Sequence, residues 1–321
     1  RVGVRVAWDR IRWELIESAW HATIPCGSDG VPVLISLQVA SPCAVLMPPP
    51  TRWKAHIIEE QQALVAKLVE HTRSRIVVKD GAKSLDARCT RSTIWTIQIF
   101  RAMIENAWAR SYGSPMSIDE RDDDGGGDED EAAAPVQDVL NSNGVTGLCL
   151  DLIAVGIEPE LIVECVKLCV AMLFKEGGHK DVQNTMFAHL NNFGSFFFFS
   201  QMREIIQTMI KWYRYGNVPV CEEGEDPEVP DMLICLRFLQ LMCEGHHADN
   251  QNIMREQPNN RSNINLLDDF VELLNTCSKK PSRSATKMSD QTANTILEVI
   301  QGPCLKTQEH LAMYTDLCEI I

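Results

Sequence analysis

Two stretches of this chain repeat one another. Residues 176–192 (Glu-Gly-Gly-His-Lys-Asp-Val-Gln-Asn-Thr-Met-Phe-Ala-His-Leu-Asn-Asn) and 244–260 (Glu-Gly-His-His-Ala-Asp-Asn-Gln-Asn-Ile-Met-Arg-Glu-Gln-Pro-Asn-Asn) agree at nine of 17 positions, at a constant offset of 68. A weaker third copy begins at Gln301-Gly302 and reaches Gln308, six residues past its glycine, as Gln183 and Gln251 lie six past Gly177 and Gly245. Each copy follows an apolar helical stretch: Leu161 to Phe174, Met232 to Cys243 and Ile296 to Ile300. In the first two, Asn-Asn (Asn191-Asn192, Asn259-Asn260) and another amphipathic helix come next. A unit of helix, short loop, helix, Asn-Asn and helix cannot bury its apolar face alone, so tandem copies stack. The spacing therefore predicts an all-α, armadillo-like α-solenoid, its period lengthened by inserted linkers. Gly177, Gly245 and Gly302 are expected in the left-handed conformation that ends a helix. Gln183, Gln251 and Gln308 restart the following helices, with Asp181 and Asp249 as expected caps.

The rest of the chain divides around this repeat. Aromatic residues are 7% and tyrosines four, which disfavours a β-sandwich. Residues 1–52 read as an irregular segment of unclear status: Val2, Val4 and Val6 alternate, and Ile24 to Pro50 is rich in Pro, Gly and Ser. Helical spacing covers 53–118, with helices at about 53–70 and 92–109. An acidic, Gly-rich linker at 119–135 reads as disordered. A repeat region at 136–220 and a further helical domain at 221–321 follow, and no strand is expected beyond 135. Helices are predicted there at about 136–156, 159–175, 181–190, 195–214, 231–243, 249–256, 264–277, 291–301 and 307–321.

The formal net charge of −14 is local. Residues 119–131 hold nine acids and one Arg, and 221–231 hold six acids and no base, so these two segments carry all of it. No basic footprint for nucleic acid remains. No run of about 18 apolar residues suggests membrane contact by this segment. The 12 cysteines, many inside apolar runs, fit a reducing, cytosolic compartment. A chain that begins at Arg1 and stops at Glu319-Ile320-Ile321 in mid-pattern reads as a fragment of a longer one.

Leu236-Arg237-Phe238-Leu239-Gln240-Leu241-Met242-Cys243-Glu244-Gly245-His246, running into Gln251-Asn252-Ile253-Met254-Arg255, resembles the homology-associated domain of the inositol trisphosphate and ryanodine receptors. Glu298-Val299-Ile300-Gln301-Gly302-Pro303-Cys304 with Gln308 is similar to that domain's closing signature. Upstream, Glu176-Gly177-Gly178 with Val182-Gln183 and Phe187 resembles the preceding solenoid of the same receptors. The likeness spans about 136–321. Asn250 stands where an apolar residue is expected, and the 278–292 linker has no match, so the branch within the family stays open. The resemblance implies a cytoplasmic regulatory segment of an intracellular calcium-release channel at the endoplasmic reticulum membrane. Its partners would be other domains of the parent channel and neighbouring subunits of a tetramer. The pore and ligand-binding core would lie outside these residues, and no pore or inositol-phosphate-binding residue carries over. The alternative reading is a stand-alone cytosolic armadillo-type scaffold for peptide or protein partners.

Candidate sites are few. Glu120, Asp122, Asp124, Gly125, Asp128 and Glu131 occupy EF-hand positions, but Glu replaces the usual Asp at the first, and a calcium sensor is the third, weakest reading. Cys235, Cys243, His246 and His247 could gather a zinc ion, although the histidines fall in the repeat loop, where capping serves them better. Cys165 and Cys169 lie one helical turn apart and share a face, which suits core packing better than redox chemistry. Phe196 to Phe199 cannot all enter one core, so part of that run is free for docking. Ser282 and Ser284, beside Lys279, Lys280 and Arg283, are candidates for a basophilic kinase in a solvated linker. No Walker, dinucleotide or nucleophile-elbow motif occurs. No catalytic, cofactor-binding or metal residue is assigned, no cofactor is expected, and an enzyme is not.

Overall fold

A computed structural model describes residues 51–320 except 80–81, 113–133, 157, 176 and 220–228, with the backbone alone at 51–61, 79, 82–83, 109–112 and 230. Ile57–Ile321 forms one compact unit. The irregular segment expected at 1–52 lies outside the described residues but for its last two, which open a helix, and the acidic linker lies almost wholly outside them.

The elements run α1 (Thr51–Arg73), β1 (Ile76–Lys79), β2 (Ala82–Leu85), α2 (Ala87–Tyr112), α3 (Ala134–Ser142), α4 (Val145–Val155), α5 (Pro159–Leu173), α6 (Lys180–Leu190), a 3₁₀ turn (Phe193–Ser195) and α7 (Phe196–Tyr215). They continue as α8 (Val229–Cys243), α9 (Ala248–Arg255), α10 (Leu266–Ser278), α11 (Arg283–Ile300), α12 (Leu305–Tyr314) and α13 (Leu317–Ile320). Among the described residues the protein is all-α apart from one antiparallel hairpin, Ile76 pairing with Leu85 and Lys79 with Ala82. That hairpin corrects the purely helical expectation for 53–118.

Local chemistry sets most boundaries. The helix expected at 136–156 is two, because Gly144 takes φ +80° between α3 and α4. Pro159 opens α5, where its missing N–H costs nothing. Gly216 closes α7 in the left-handed region. The linker expected at 278–292 is mostly helix: Ser282 accepts from the Ala285 amide at 3.1 Å and starts α11 eight residues earlier than expected. The helix expected at 307–321 also divides, into α12 and α13, at Thr315 and Asp316.

From α2 onward the helices fall into groups of three. First helices pack on first helices, α2 on α5, α5 on α8 and α8 on α11. Second helices do likewise, α3 on α6, α6 on α9 and α9 on α12. Third helices follow, α4 on α7, α7 on α10 and α10 on α13. One continuous apolar core joins them, from Val65 to Leu317. Trp108 meets Phe174 edge-on at 5.7 Å across units, and Phe198 meets Phe238 at 6.2 Å.

Candidate functional site

The polar side chains concentrate where second helices meet the ends of first helices. The last four carbonyls of a helix have no partner within it, and a buried end needs donors from elsewhere. Gln137 on α3, Gln183 on α6 and Gln251 on α9 are fully buried and supply them. Gln137 Nε2 donates to the carbonyls of Ala171 and Phe174, at 2.8 and 3.0 Å. Gln183 Nε2 donates to Leu241 and Glu244, both at 2.9 Å. Gln251 Nε2 donates to Glu298 and Gln301, at 2.7 and 2.8 Å. In every case the two acceptors lie three residues apart, at the end of the first helix of the next unit. The amide thus spends both hydrogens on its neighbour, and its own Oε1 is left buried without a partner in all three. Each orphaned oxygen costs about 1–3 kcal/mol. Three repetitions of that cost indicate that the two-pronged donation is what the position is for.

Gln308 on α12 is the fourth member and differs. It is half-exposed, and its Nε2 turns back to Ile300 and Gly302 of its own unit, at 2.7 and 2.9 Å.

The loops beside these clamps interlock as well. Gly177, Gly245 and Gly302 have φ of +68°, +65° and +75°, the left-handed turns expected from the repeat. Gly245 has a second constraint, because a Cβ there would strike the Gly177 carbonyl and lie 2.7 Å from Lys180 Nζ. Lys180 Nζ itself donates to the Gly245 carbonyl at 2.7 Å. The N-cap positions fall on His179 and His247, two residues before Asp181 and Asp249, and of the two histidines His247 caps through its side chain. His247 Nδ1 accepts from the Asn250 amide at 3.3 Å, while Nε2 lies 3.0 Å from Asn184 Oδ1. One nitrogen accepting and the other donating require the neutral ring. Burial holds the His247 pKa below its usual value, as it does for His179. Asn250, polar where an apolar residue was expected, is fully buried and donates to Met242 and Gln183 carbonyls at 2.8 and 3.3 Å. The paired asparagines bond across units too, Asn259 Nδ2 donating to Asn191 Oδ1 at 2.7 Å.

Ion pairs tie the other two stacks. Arg101 Nη2 meets Glu164 Oε2 at 3.1 Å between α2 and α5, and Lys167 Nζ meets Asp231 at 3.0 Å between α5 and α8. Between α7 and α10, buried Asp269 takes Arg203 at 3.1 Å and Gln207 at 2.6 Å. Burial raises the Asp269 pKa, against the lowering effect of Gln207 and Arg203.

Among the described residues no three His, Cys, Asp or Glu side chains converge to hold a metal, and His246 points outward from a left-handed backbone while Cys243 is buried. Cys165 and Cys169 do share a buried face, and Cys149 on α4 joins them. Burial pushes Cys165 and Cys169 well above the usual thiol range, and hydrogen bonds from those two thiols pull Cys149 down. Phe198 and Phe199 are buried, Phe196 is half-buried, and Phe197 is the exposed member of the run. Ser282 is exposed as a helix cap and lies 3.2 Å from Ser284 Oγ. The candidate calcium loop, 120–131, lies outside the described residues. Two surface hollows stand open to solvent, one of about 170 Å³ lined by Arg214, Glu272 and Lys280 and one of about 500 Å³ lined by Val69, Arg73 and Asn143. No described helix is long and apolar enough to cross a membrane.

The directional clamps were not foreseen. The six-residue spacing of glutamine from glycine marked Gln183 and Gln251 but not Gln137, and it does not say which helix each amide reaches.

Comparison with known proteins bears on the last two units. Residues 228–321, which hold α8 to α13, match the family described as RyR and IP3R Homology associated. The inositol 1,4,5-trisphosphate receptor itr-1 of Caenorhabditis elegans is 33% identical over 105 residues, covering 30% of this chain and 4% of that receptor.

Proposed function

Because the chain belongs, through residues 228–321, to the inositol trisphosphate and ryanodine receptor family, we propose that it is part of the cytoplasmic regulatory arm of an intracellular calcium-release channel. On this reading the stacked triplets are an armadillo-like α-solenoid, held at the cytoplasmic face of the endoplasmic reticulum membrane. Its partners are other domains of the parent channel and neighbouring subunits of a tetramer. The family is one of ligand-gated channels rather than enzymes, and the role proposed here is conformational.

The observation that carries the reading is the series of buried glutamine clamps, because the clamp at Gln183 joins the family-matched segment to the helices before it. A helix end held by two hydrogen bonds from the preceding unit cannot shift alone. Rotation of one triplet either drags its neighbour or breaks two bonds in a low-dielectric interior. Stacked units coupled this way pass a displacement along the array as rigid bodies.

The test has two steps. Sequencing the transcript through both ends of this chain should reveal several spans of about 20 apolar residues downstream. An early stop codon would instead leave a soluble scaffold and overturn the channel reading. In the parent channel, Gln183→Leu should shift the ligand dependence of calcium release without abolishing conduction. Unchanged release would remove the transmission role while leaving the family assignment intact.

A further inference from the structure

Gln137, Gln183 and Gln251 each hold the end of a first helix in the following unit. Gln308 occupies the same position, 57 residues after Gln251, as Glu298 and Gln301 lie 57 after Leu241 and Glu244. Among the described residues no further first-type helix follows it. We propose that the end face formed by α11 and α12 is a docking surface for one further first-type helix, amphipathic and closed by a left-handed glycine turn, whose last carbonyls Gln308 would clamp.

Three observations specify this occupant. The same 57-residue relation places Leu297 on α11 at the position of Gln240 on α8, which is 7% exposed because α11 covers it. Leu297 is 52% exposed, so the apolar side chain sits where a covering helix stands in the preceding unit. Leu305, one turn before Gln308 on α12, is 73% exposed and widens the apolar area beside it. The polar contact repeats as well. Asn184 reaches His247 in the next loop, and Asn252 reaches Cys304. The residue at that position on α12 is Glu309, which is exposed and selects a partner loop offering a donor. A lone apolar patch would take many partners. A patch flanked by an acceptor and by an amide that can turn its two hydrogens outward from Ile300 and Gly302, in the arrangement already used three times, takes a helix end.

The proposal stands whether or not the parent protein is a channel, and its test uses this chain itself. The probe is the chain's own segment 283–304, side-chain-stapled on its solvent face to hold it helical, because that segment is the natural occupant of the Gln251 clamp. Fluorescence anisotropy should show saturable binding of the labelled probe to the 321-residue chain. Gln308→Ala should weaken binding about three- to tenfold, and Leu297→Asp by about tenfold or more. Leu297 is exposed, so its variant should keep the parental melting temperature, while Gln308→Ala gives up bonds to Ile300 and Gly302 and should melt only a few degrees lower, which circular dichroism checks. Absence of saturable binding, or binding that neither substitution weakens, overturns the proposal. So does a dimer of the free chain that Leu297→Asp dissociates, since a second copy would then own the face.

Discussion

Replacing Gln183 with leucine tests the clamp at the junction between the first repeat and the family-matched segment. Leucine approximates the volume, so little cavity arises, and the loss is mainly two hydrogen bonds to the carbonyls of Leu241 and Glu244. Each neutral bond contributes about 1 kcal/mol net. The two carbonyls are then stranded at the end of α8, and water reaches Glu244 more readily than buried Leu241. One stranded acceptor adds about 1–3 kcal/mol, and removing the orphaned Gln183 Oε1 returns a similar amount. The balance is a destabilisation of about 2–3 kcal/mol. Urea unfolding followed by circular dichroism should show a lower midpoint and a shallower slope, because units that lose their coupling unfold less cooperatively. The matched control is Gln308→Leu, whose half-exposed amide bonds only within its own unit, where water can replace it, and should cost about 1 kcal/mol with the slope unchanged. Equal effects at the two positions, or an unchanged midpoint and slope at Gln183, would refute the argument that the clamps couple units.

Gly245→Ala should cost about 2 kcal/mol, since it adds a left-handed backbone penalty to a collision with the Gly177 carbonyl, and thermal melting reads it directly. His247 has a folded pKa lowered by burial, so its contribution is full above the unfolded value of about 6.5 and is lost as pH falls through the folded value. Melts from pH 7.5 to 5 should show that decline, and His247→Asn, which still caps α9, should flatten it. His179 has the same sign and adds to the slope in the parental chain. Asp269 runs the other way: its raised pKa makes stability fall as pH rises from its unfolded value through its folded value, a component that Asp269→Asn should remove from titration melts. Ser282→Ala should lower stability by about 1 kcal/mol through loss of the α11 cap, and Ser282→Asp should restore it.

The repeat was legible because its punctuation is chemical: glycine at a left-handed turn, histidine at a cap and paired asparagines between helices all leave residue-level marks. The clamps were not, because their partners lie 34, 58 and 47 residues downstream, and unequal inserts erase any constant spacing between donor and acceptor. Only stacking brings each pair together. The first eight residues of α11 escaped for a different reason. Lys-Lys-Pro-Ser-Arg-Ser has the composition of a linker, yet Ala285 and Met288 are buried one turn apart, so tertiary burial overrides a weak local preference. The hairpin did leave a signal, Asp80-Gly81 between two short runs, and helical periodicity on both sides masked it. Asn250 is the most instructive residue. Judged by composition it breaks the apolar pattern of the family, but its donations to Met242 and Gln183 make it a second thread between the same two units. A polar residue at that position leaves its Oδ1 buried without a partner, the same cost of about 1–3 kcal/mol that the glutamines bear. It extends the hydrogen bonding that sets the distance between one triplet and the next, and that distance is what an array of this kind would transmit.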